Sequence, residues 1–166
     1  MNIFYPTDLY LHKRNDLLLK FSNDELKNYY IKLDTTLDSK EFESLYGKNF
    51  SFLNFISPLT REEVKSYIEE CDAVLILSEL ESYGLIALEA ALAHKPILSP
   101  PYNWIKELIG ESFYNIGIEA CNLKATIESL KIDIDSKDIL IPSLTFTPLN
   151  NEEVGTFLYE LGMALI

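Results

Sequence analysis

The residues best suited to chemistry in this sequence are Glu81, Gly84 and Glu89, within the run Glu81-Ser82-Tyr83-Gly84-Leu85-Ile86-Ala87-Leu88-Glu89. The segment from Ser78 to Gly84 leads straight into an apolar helical pattern. The first-turn amides of Leu85 and Ile86 have no partners within such a helix and lie at its positive end, where an anion such as a phosphate fits. Glu89 lies four residues after Leu85 and three after Ile86, and it precedes Leu92 and Ala93 at the same spacings. This spacing predicts a place on the buried stripe, where an unpaired carboxylate costs on the order of several kcal/mol and needs an internal partner or a polar ligand. Helical side chains lean toward the amino end, so Glu89 is expected to point back toward the loop that carries Glu81. Two carboxylates then meet in one cleft, and each accepts two or more O–H bonds, which suits vicinal hydroxyls of a ribose or hexose. The same residues also admit a structural reading, in which both glutamates serve helix capping and internal hydrogen bonds in a doubly wound module that acts through protein contacts.

Positioning these groups requires strands that end at the loops. Short apolar runs alternate with helical patterns, and this alternation predicts βαβ units: an α/β, Rossmann-like, mostly parallel sheet of about six strands with helices on both faces. Strands are expected near 2–5, 29–33, 50–55, 73–77, 96–98 and 113–116. Helices are expected near 16–21, 39–46, 60–70, 84–93, 104–109 and 123–130, and a last one near 152–164 after an ordered connection over 142–151. Thr60-Arg61-Glu62-Glu63 has the capping-box form, with Thr60 and Glu63 each accepting from the other's backbone amide. His94 stands just before the Pro96 strand, at a helix end that commonly needs φ > 0. There is no internal repeat, low-complexity tract or interdomain linker, so residues 1–166 read as one domain.

Composition narrows the partners. The chain is 48% apolar and carries 14 Lys and Arg against 26 Asp and Glu, a net charge of −12. That sign opposes binding along a nucleic-acid backbone or on an anionic membrane. The longest apolar runs fall short of the roughly 20 residues that span a bilayer, and the amino end shows no secretory pattern. Cys71 and Cys121 stand far apart without a CxxC or Cys/His cluster, and they read as two semi-buried thiols in a reduced, cytoplasmic setting.

In open parallel sheets, ligands bind where strands turn into helices at their carboxyl ends. The loop after the first strand, from Pro6 to Arg14, has no glycine, so the GxGxxG dinucleotide fingerprint is missing, and there is no Walker sequence. Asp34 therefore reads as a turn residue. The third strand ends in Phe55-Ile56-Ser57-Pro58, without the aspartate of a phospho-receiver domain. By contrast, the run from Glu81 to Ala90, with seven residues between its glutamates, resembles the E-x7-E signature of glycosyltransferase family 4, the retaining GT-B enzymes. Phe50 to Phe55, Leu59 to Val64 and Cys71 to Val74 upstream, and Lys95 to Ser99 and Glu107 to Gly110 downstream, follow the family's order of elements. Ile3 to Pro6 with His12-Lys13-Arg14 resembles a subgroup in which a His-Lys pair follows the first strand. The likeness covers roughly residues 2–116.

This resemblance implies the C-terminal, donor-binding half of a GT-B enzyme. Glu89 is expected to hold the ribose hydroxyls, and Glu81, the catalytic candidate, the transferred sugar. The donor-binding loop is Ser82, Tyr83, Gly84, Leu85 and Ile86, with its amides on sugar and diphosphate. Lys13 is expected to neutralise the diphosphate, and the base to lie near Pro58 and Leu59. Where the family often carries Gly-Arg after the first strand, this chain has Pro6-Thr7; His12 or Arg14 can stand in for that arginine, but Arg14 is expected at the surface. Tyr102 and Trp104 stand where they can line the sugar pocket or pack. The implied partners are a nucleotide diphosphate sugar, expected to be a UDP-sugar, a glycan or lipid-linked acceptor, and an N-terminal acceptor domain absent from this chain. No cofactor or metal is expected. Peripheral attachment to the inner face of a membrane through the absent domain is compatible with this picture. Richness in Ile, Lys, Asn, Phe and Tyr points to an AT-rich coding sequence and suggests bacterial O-antigen or capsule assembly. An ADP-glucose-dependent storage-polysaccharide synthase half is the alternative within the enzyme class.

Overall fold

Alternating side-chain directions along each strand let one strand feed two cores, and the central strand shows this directly. In β1 (Asn2–Pro6), Ile3 and Tyr5 enter one buried cluster while Phe4 enters the other. The computed structural model describes residues 1–7, 10–56 and 58–145. After β1 come two 3-10 segments, Leu11–Lys13 and Asn15–Lys20, and then α1 (Asn23–Leu26), β2 (Tyr30–Asp34) and α2 (Ser39–Tyr46). These are followed by β3 (Leu53–Ile56), α3 (Arg61–Glu70), β4 (Ala73–Leu75), α4 (Leu85–Leu92), β5 (Ile97–Ser99), α5 (Asn103–Ile109), β6 (Tyr114–Asn115) and α6 (Leu123–Ser136). The six strands form one sheet in the order β3-β2-β1-β4-β5-β6, and every pairing is parallel. This is the doubly wound α/β architecture expected from the alternation.

Each face of the sheet has its own cover. Ile3, Tyr5, Leu33, Leu75 and Leu98 pack with Phe42 of α2 and with Leu123, Ile127 and Leu130 of α6. Phe4, Val74 and Ile97 pack with Ile68 of α3, the small Ala87, Ala90 and Ala91 of α4, and Ile105 and Ile109 of α5. No helix among the described residues is long and apolar enough to cross a membrane.

Several boundaries differ from the sequence expectation. The helical pattern near 16–21 is a 3-10 segment over Asn15–Lys20, which follows Arg14 in the left-handed conformation (φ 52°). The third strand begins at Leu53 rather than Phe50. Phe50 and Phe52 are spent on an aromatic cluster with Phe42, with ring centroids 5.3 Å apart for Phe42–Phe50 and 5.9 Å for Phe50–Phe52. The helix expected over 123–130 continues to Ser136. The Thr60–Glu63 capping box is present, with Thr60 N–H donating to Glu63 Oε2 at 2.8 Å and Glu63 N–H to Thr60 Oγ1 at 3.3 Å. His94 does adopt positive φ (54°). The thiols are not alike: Cys71 is buried and Cys121 is exposed. The terminal helix expected near 152–164 and the connection beyond Thr145 lie outside the described residues.

Candidate functional site

Strand order reverses between β1 and β4. Successive units wind away from that seam in opposite directions, and the carboxyl edge of the sheet at such a seam is where open α/β folds place a ligand crevice. The loop after β1 delivers Lys13 to this crevice, and the loop after β4 delivers Glu81 to Gly84. The backbone ties the two loops together, with Glu79 N–H donating to His12 O at 2.7 Å. The opposite wall comes from the start of α3. Its approach is braced by Asp34 at the end of β2, whose Oδ1 accepts from Leu59 N–H at 3.2 Å. Asp34 thus serves as a turn residue with a definite task.

Gly84 makes the bend that starts α4. It is the helix N-cap with φ 58° and ψ 38°, and α4 has no side-chain cap on its first-turn amides. Space also demands glycine: a Cβ there would lie 3.0 Å from Trp104 Cζ3 and 3.3 Å from Leu108 Cδ2. Trp104 is held by its indole N–H, which donates to Ser78 O at 2.9 Å. It therefore packs beneath the loop while also lining the crevice. Tyr102 sits further round, its hydroxyl 3.5 Å from Arg14 Nη1.

All nine residues singled out in the sequence surround one cleft of about 480 Å³. Lys13 and Glu81 form one side, and Lys13 Nζ donates to Glu81 Oε1 at 2.6 Å. Ser82, Tyr83, Gly84, Leu85 and Ile86 form the floor and lip, and Leu59 and Glu89 close the far side. Glu89 faces the same cleft as Glu81, as the lean of helical side chains predicts, but the environment expected for it needs correction. Leu85 and Leu92, which share its stripe, are 48% and 55% exposed, whereas α4 buries Ala87, Ala90 and Ala91. The stripe that carries Glu89 therefore looks onto the cleft and not into the core. The small alanines fill the narrow gap over the sheet, leaving the larger residues at the edge.

Glu89 has a partner that the sequence did not reveal. Arg61, the first residue of α3, donates from Nη2 to Glu89 Oε1 at 2.7 Å, with its own side chain 73% exposed. The two residues are 28 positions apart and meet only because α3 and α4 lie side by side on one face of the sheet. The pair borders both the cleft and a second hollow between α3 and α4. Arg14, expected at the surface, is also drawn in, its side chain only 19% exposed among Asp16, Glu79 and Glu119. Those bonds, that to Asp16 foremost, raise its pKa above the ordinary guanidinium value. The site thus holds two carboxylates, each paired with a cation, on either side of a helix amino end without a side-chain cap. Such a site can accept hydroxyls on the carboxylates once the pairs open, and it can take an anion on Lys13, Arg61 and the α4 amides.

Residues 40–136, more than half of the chain, match the family of group 1 glycosyl transferases. An uncharacterized glycosyltransferase of Methanocaldococcus jannaschii is 22% identical over 147 residues, an alignment that spans 89% of this chain and 38% of that protein. The chain thus spans well under half the length of this relative. Among solved structures, the catalytic domain of cholesterol-alpha-glucosyltransferase from Helicobacter pylori superposes with a TM-score of 0.63 at 16% identity, covering 82% of this chain and 89% of that one. HepE of Anabaena in complex with UDP-glucose gives a TM-score of 0.57 at 16% identity, over 82% of this chain and 40% of that one. At such identities the structural likeness speaks for the fold, while the family rests on the matched sequence, which contains Leu59, Arg61 and the whole run from Glu81 to Glu89 but not Lys13. By its sequence, and with the open six-stranded parallel sheet to match, the chain belongs to the group 1 glycosyl transferases.

Proposed function

We propose that the cleft binds a nucleotide diphosphate sugar, a UDP-sugar, as the donor half of a retaining glycosyltransferase of family 4. The observation that carries this reading is the meeting of Lys13, Glu81, Glu89 and the uncapped start of α4 around one cleft. In this reading Glu89 accepts the ribose hydroxyls, and Glu81 accepts hydroxyls of the transferred sugar. Lys13 and the amides at the start of α4 take the diphosphate, and the base lies against the turn at Pro58 and Leu59. Because Leu59 N–H is already bonded to Asp34, a base there meets the carbonyl side of that turn. Charge building on the departing diphosphate is met by fixed donors, which is electrostatic stabilisation; we assign that task to Lys13 and the α4 amides rather than to a metal ion. Retention follows when the acceptor hydroxyl attacks on the face the diphosphate leaves and its proton passes to the departing phosphate.

The acceptor, a glycan or lipid-linked saccharide, and the walls that hold it belong in this reading to a second domain. The 38% share of the relative's length supports that division. The UDP-glucose complex of the Anabaena protein, whose fold this chain shares, supports the choice of donor. We place the reaction in bacterial surface-polysaccharide assembly on the composition argument alone. A second reading is favoured by the two ion pairs themselves: Glu81 and Glu89 are satisfied internally, as in a module that only makes protein contacts. Calorimetry with UDP, GDP and ADP separates the possibilities. UDP binding alone supports the donor reading, preference for ADP moves the enzyme to storage-polysaccharide synthesis, and no binding of any of the three favours the module. The chain by itself is expected to bind donor and transfer little or no sugar, and full turnover by it would contradict the need for a second domain.

A further inference from the structure

Arg14 makes an unusual set of contacts for a residue that lines no part of the cleft. Its guanidinium donates to Asp16 from Nε at 3.0 Å and from Nη2 at 3.2 Å, to Glu79 Oε2 at 3.2 Å and to Glu119 Oε1 at 3.2 Å, with Tyr102 Oη 3.5 Å away. These partners come from the loops that leave β1, β4, β5 and β6. Lys20 also binds the Glu119 carboxylate. Both ends of the Arg14–Glu119 bond sit on left-handed backbone, with φ 52° at Arg14 and 67° at Glu119. For residues with a Cβ that conformation is strained, and it persists where surrounding contacts over-determine it. The loops after β1 and β4 are in fact joined by three successive rungs: Glu79 N–H to His12 O at 2.7 Å, Lys13 Nζ to Glu81 Oε1 at 2.6 Å, and Arg14 Nη1 to Glu79 Oε2 at 3.2 Å.

We propose that Arg14 is a positioning residue: by stapling the four carboxyl-end loops together it fixes the Lys13 ammonium on the cleft wall, where the diphosphate of the donor is received. The proposal rests on the donor reading above for the ligand, but not for the geometry. With three carboxylates around it, the Arg14 guanidinium is committed to the protein and acts on the ligand only through Lys13 and the loop at Glu79 to Glu81. A lysine cannot replace it, because one ammonium cannot present the forked set of donors that reaches three carboxylates.

The test compares UDP with uridine, which lacks the phosphates, by calorimetry on the full chain and its variants. For Arg14→Gly, which tolerates the left-handed backbone, and for Arg14→Lys, UDP affinity is expected to fall about tenfold, the scale of one charge-assisted bond, with uridine affinity held within about twofold. Asp16→Asn combined with Glu119→Gln leaves Arg14 in place but cuts its staple, and it should weaken UDP in the same direction. An unchanged ratio of UDP to uridine affinity in Arg14→Gly overturns the proposal. So does tighter or unchanged UDP binding by the double variant, the result expected of an arginine that touches phosphate itself. A ligand-free arm, the rate at which an amine-acylating reagent labels Lys13 followed by mass spectrometry, keeps the proposal separate from the donor reading. If the parent chain binds neither UDP nor uridine, the donor reading fails and the labelling rate alone decides. Faster labelling of Lys13 in Arg14→Gly supports the staple, and an equal rate refutes it.

Discussion

Replacing Gly84 by alanine probes the junction on which the whole cleft is built. Two costs add in this variant. The backbone at φ 58° is left-handed, which costs an L-residue about 1–2 kcal/mol. The new methyl would stand 3.0 Å from Trp104 Cζ3 and 3.3 Å from Leu108 Cδ2, so the indole must shift, and overpacking of this kind costs about 1–3 kcal/mol. Together they predict a loss of about 3 kcal/mol, or a fall in Tm of roughly 6–12 °C for a domain of this size. Trp104 is the sole tryptophan in the sequence, so its fluorescence reports the displacement directly. The indole N–H bond to Ser78 O should be lost or lengthened, with a red-shifted emission in the folded variant. Thermal denaturation within about 0.5 kcal/mol of the parent, a change of surface-substitution size, together with unchanged Trp104 emission, would refute the argument that this turn needs glycine for both backbone and space.

Two further perturbations test neighbouring parts of the account. Arg61 is 73% exposed and its pair with Glu89 lies near the surface, so Arg61→Ala should change stability by no more than about 1 kcal/mol. It should tighten uridine binding several-fold, because the pair no longer has to open, and weaker uridine binding in calorimetry would count against that order of events. Tyr114 donates to Asp133 Oδ2 at 2.8 Å and accepts from Leu140 N–H at 3.0 Å, and burial pushes its phenol up to about 12. A raised folded-state pKa gives stability that is fully present below the unfolded value of about 10 and lost as pH climbs toward 12. Tyr114→Phe should therefore melt below the parent at pH 8, and the gap should narrow between pH 10 and 12; a constant gap across that range contradicts the linkage.

What was legible in the sequence is what local pattern determines. The alternation of apolar runs and helical segments announced six strands, and the Thr60–Glu63 box marked the start of α3. The spacing of Glu81, Gly84 and Glu89, joined to the lean of helical side chains, was enough to bring both carboxylates to one cleft. What was not legible depends on neighbours far along the chain. The Arg61–Glu89 pair needs α3 and α4 side by side, and nothing within either helix signals it. Apolar character at Leu85 and Leu92 suggested a buried stripe, but three alanines supply the contact with the sheet and leave the leucines at the edge. Arg14 looked like a surface charge because its carboxylate partners beyond Asp16 come from the loops after β4 and β6. The run of α6 past Leu130 was hidden by an exposed Ile132 that breaks the amphipathic pattern, and the helix ends at Lys137 in a left-handed cap without the usual glycine.

The central claim is that Glu89 is there to hold a nucleoside diphosphate by its ribose. Its most direct test is titration of UDP into the parent chain and into Glu89→Ala, with folding of both checked by thermal denaturation. Glu89 is only partly buried and its partner Arg61 is mostly exposed, so the variant is expected to remain folded. The account predicts measurable UDP binding by the parent and a loss of at least about tenfold in the variant, the scale of hydrogen bonds made to a charged group. Equal affinity of the two proteins for UDP would contradict it.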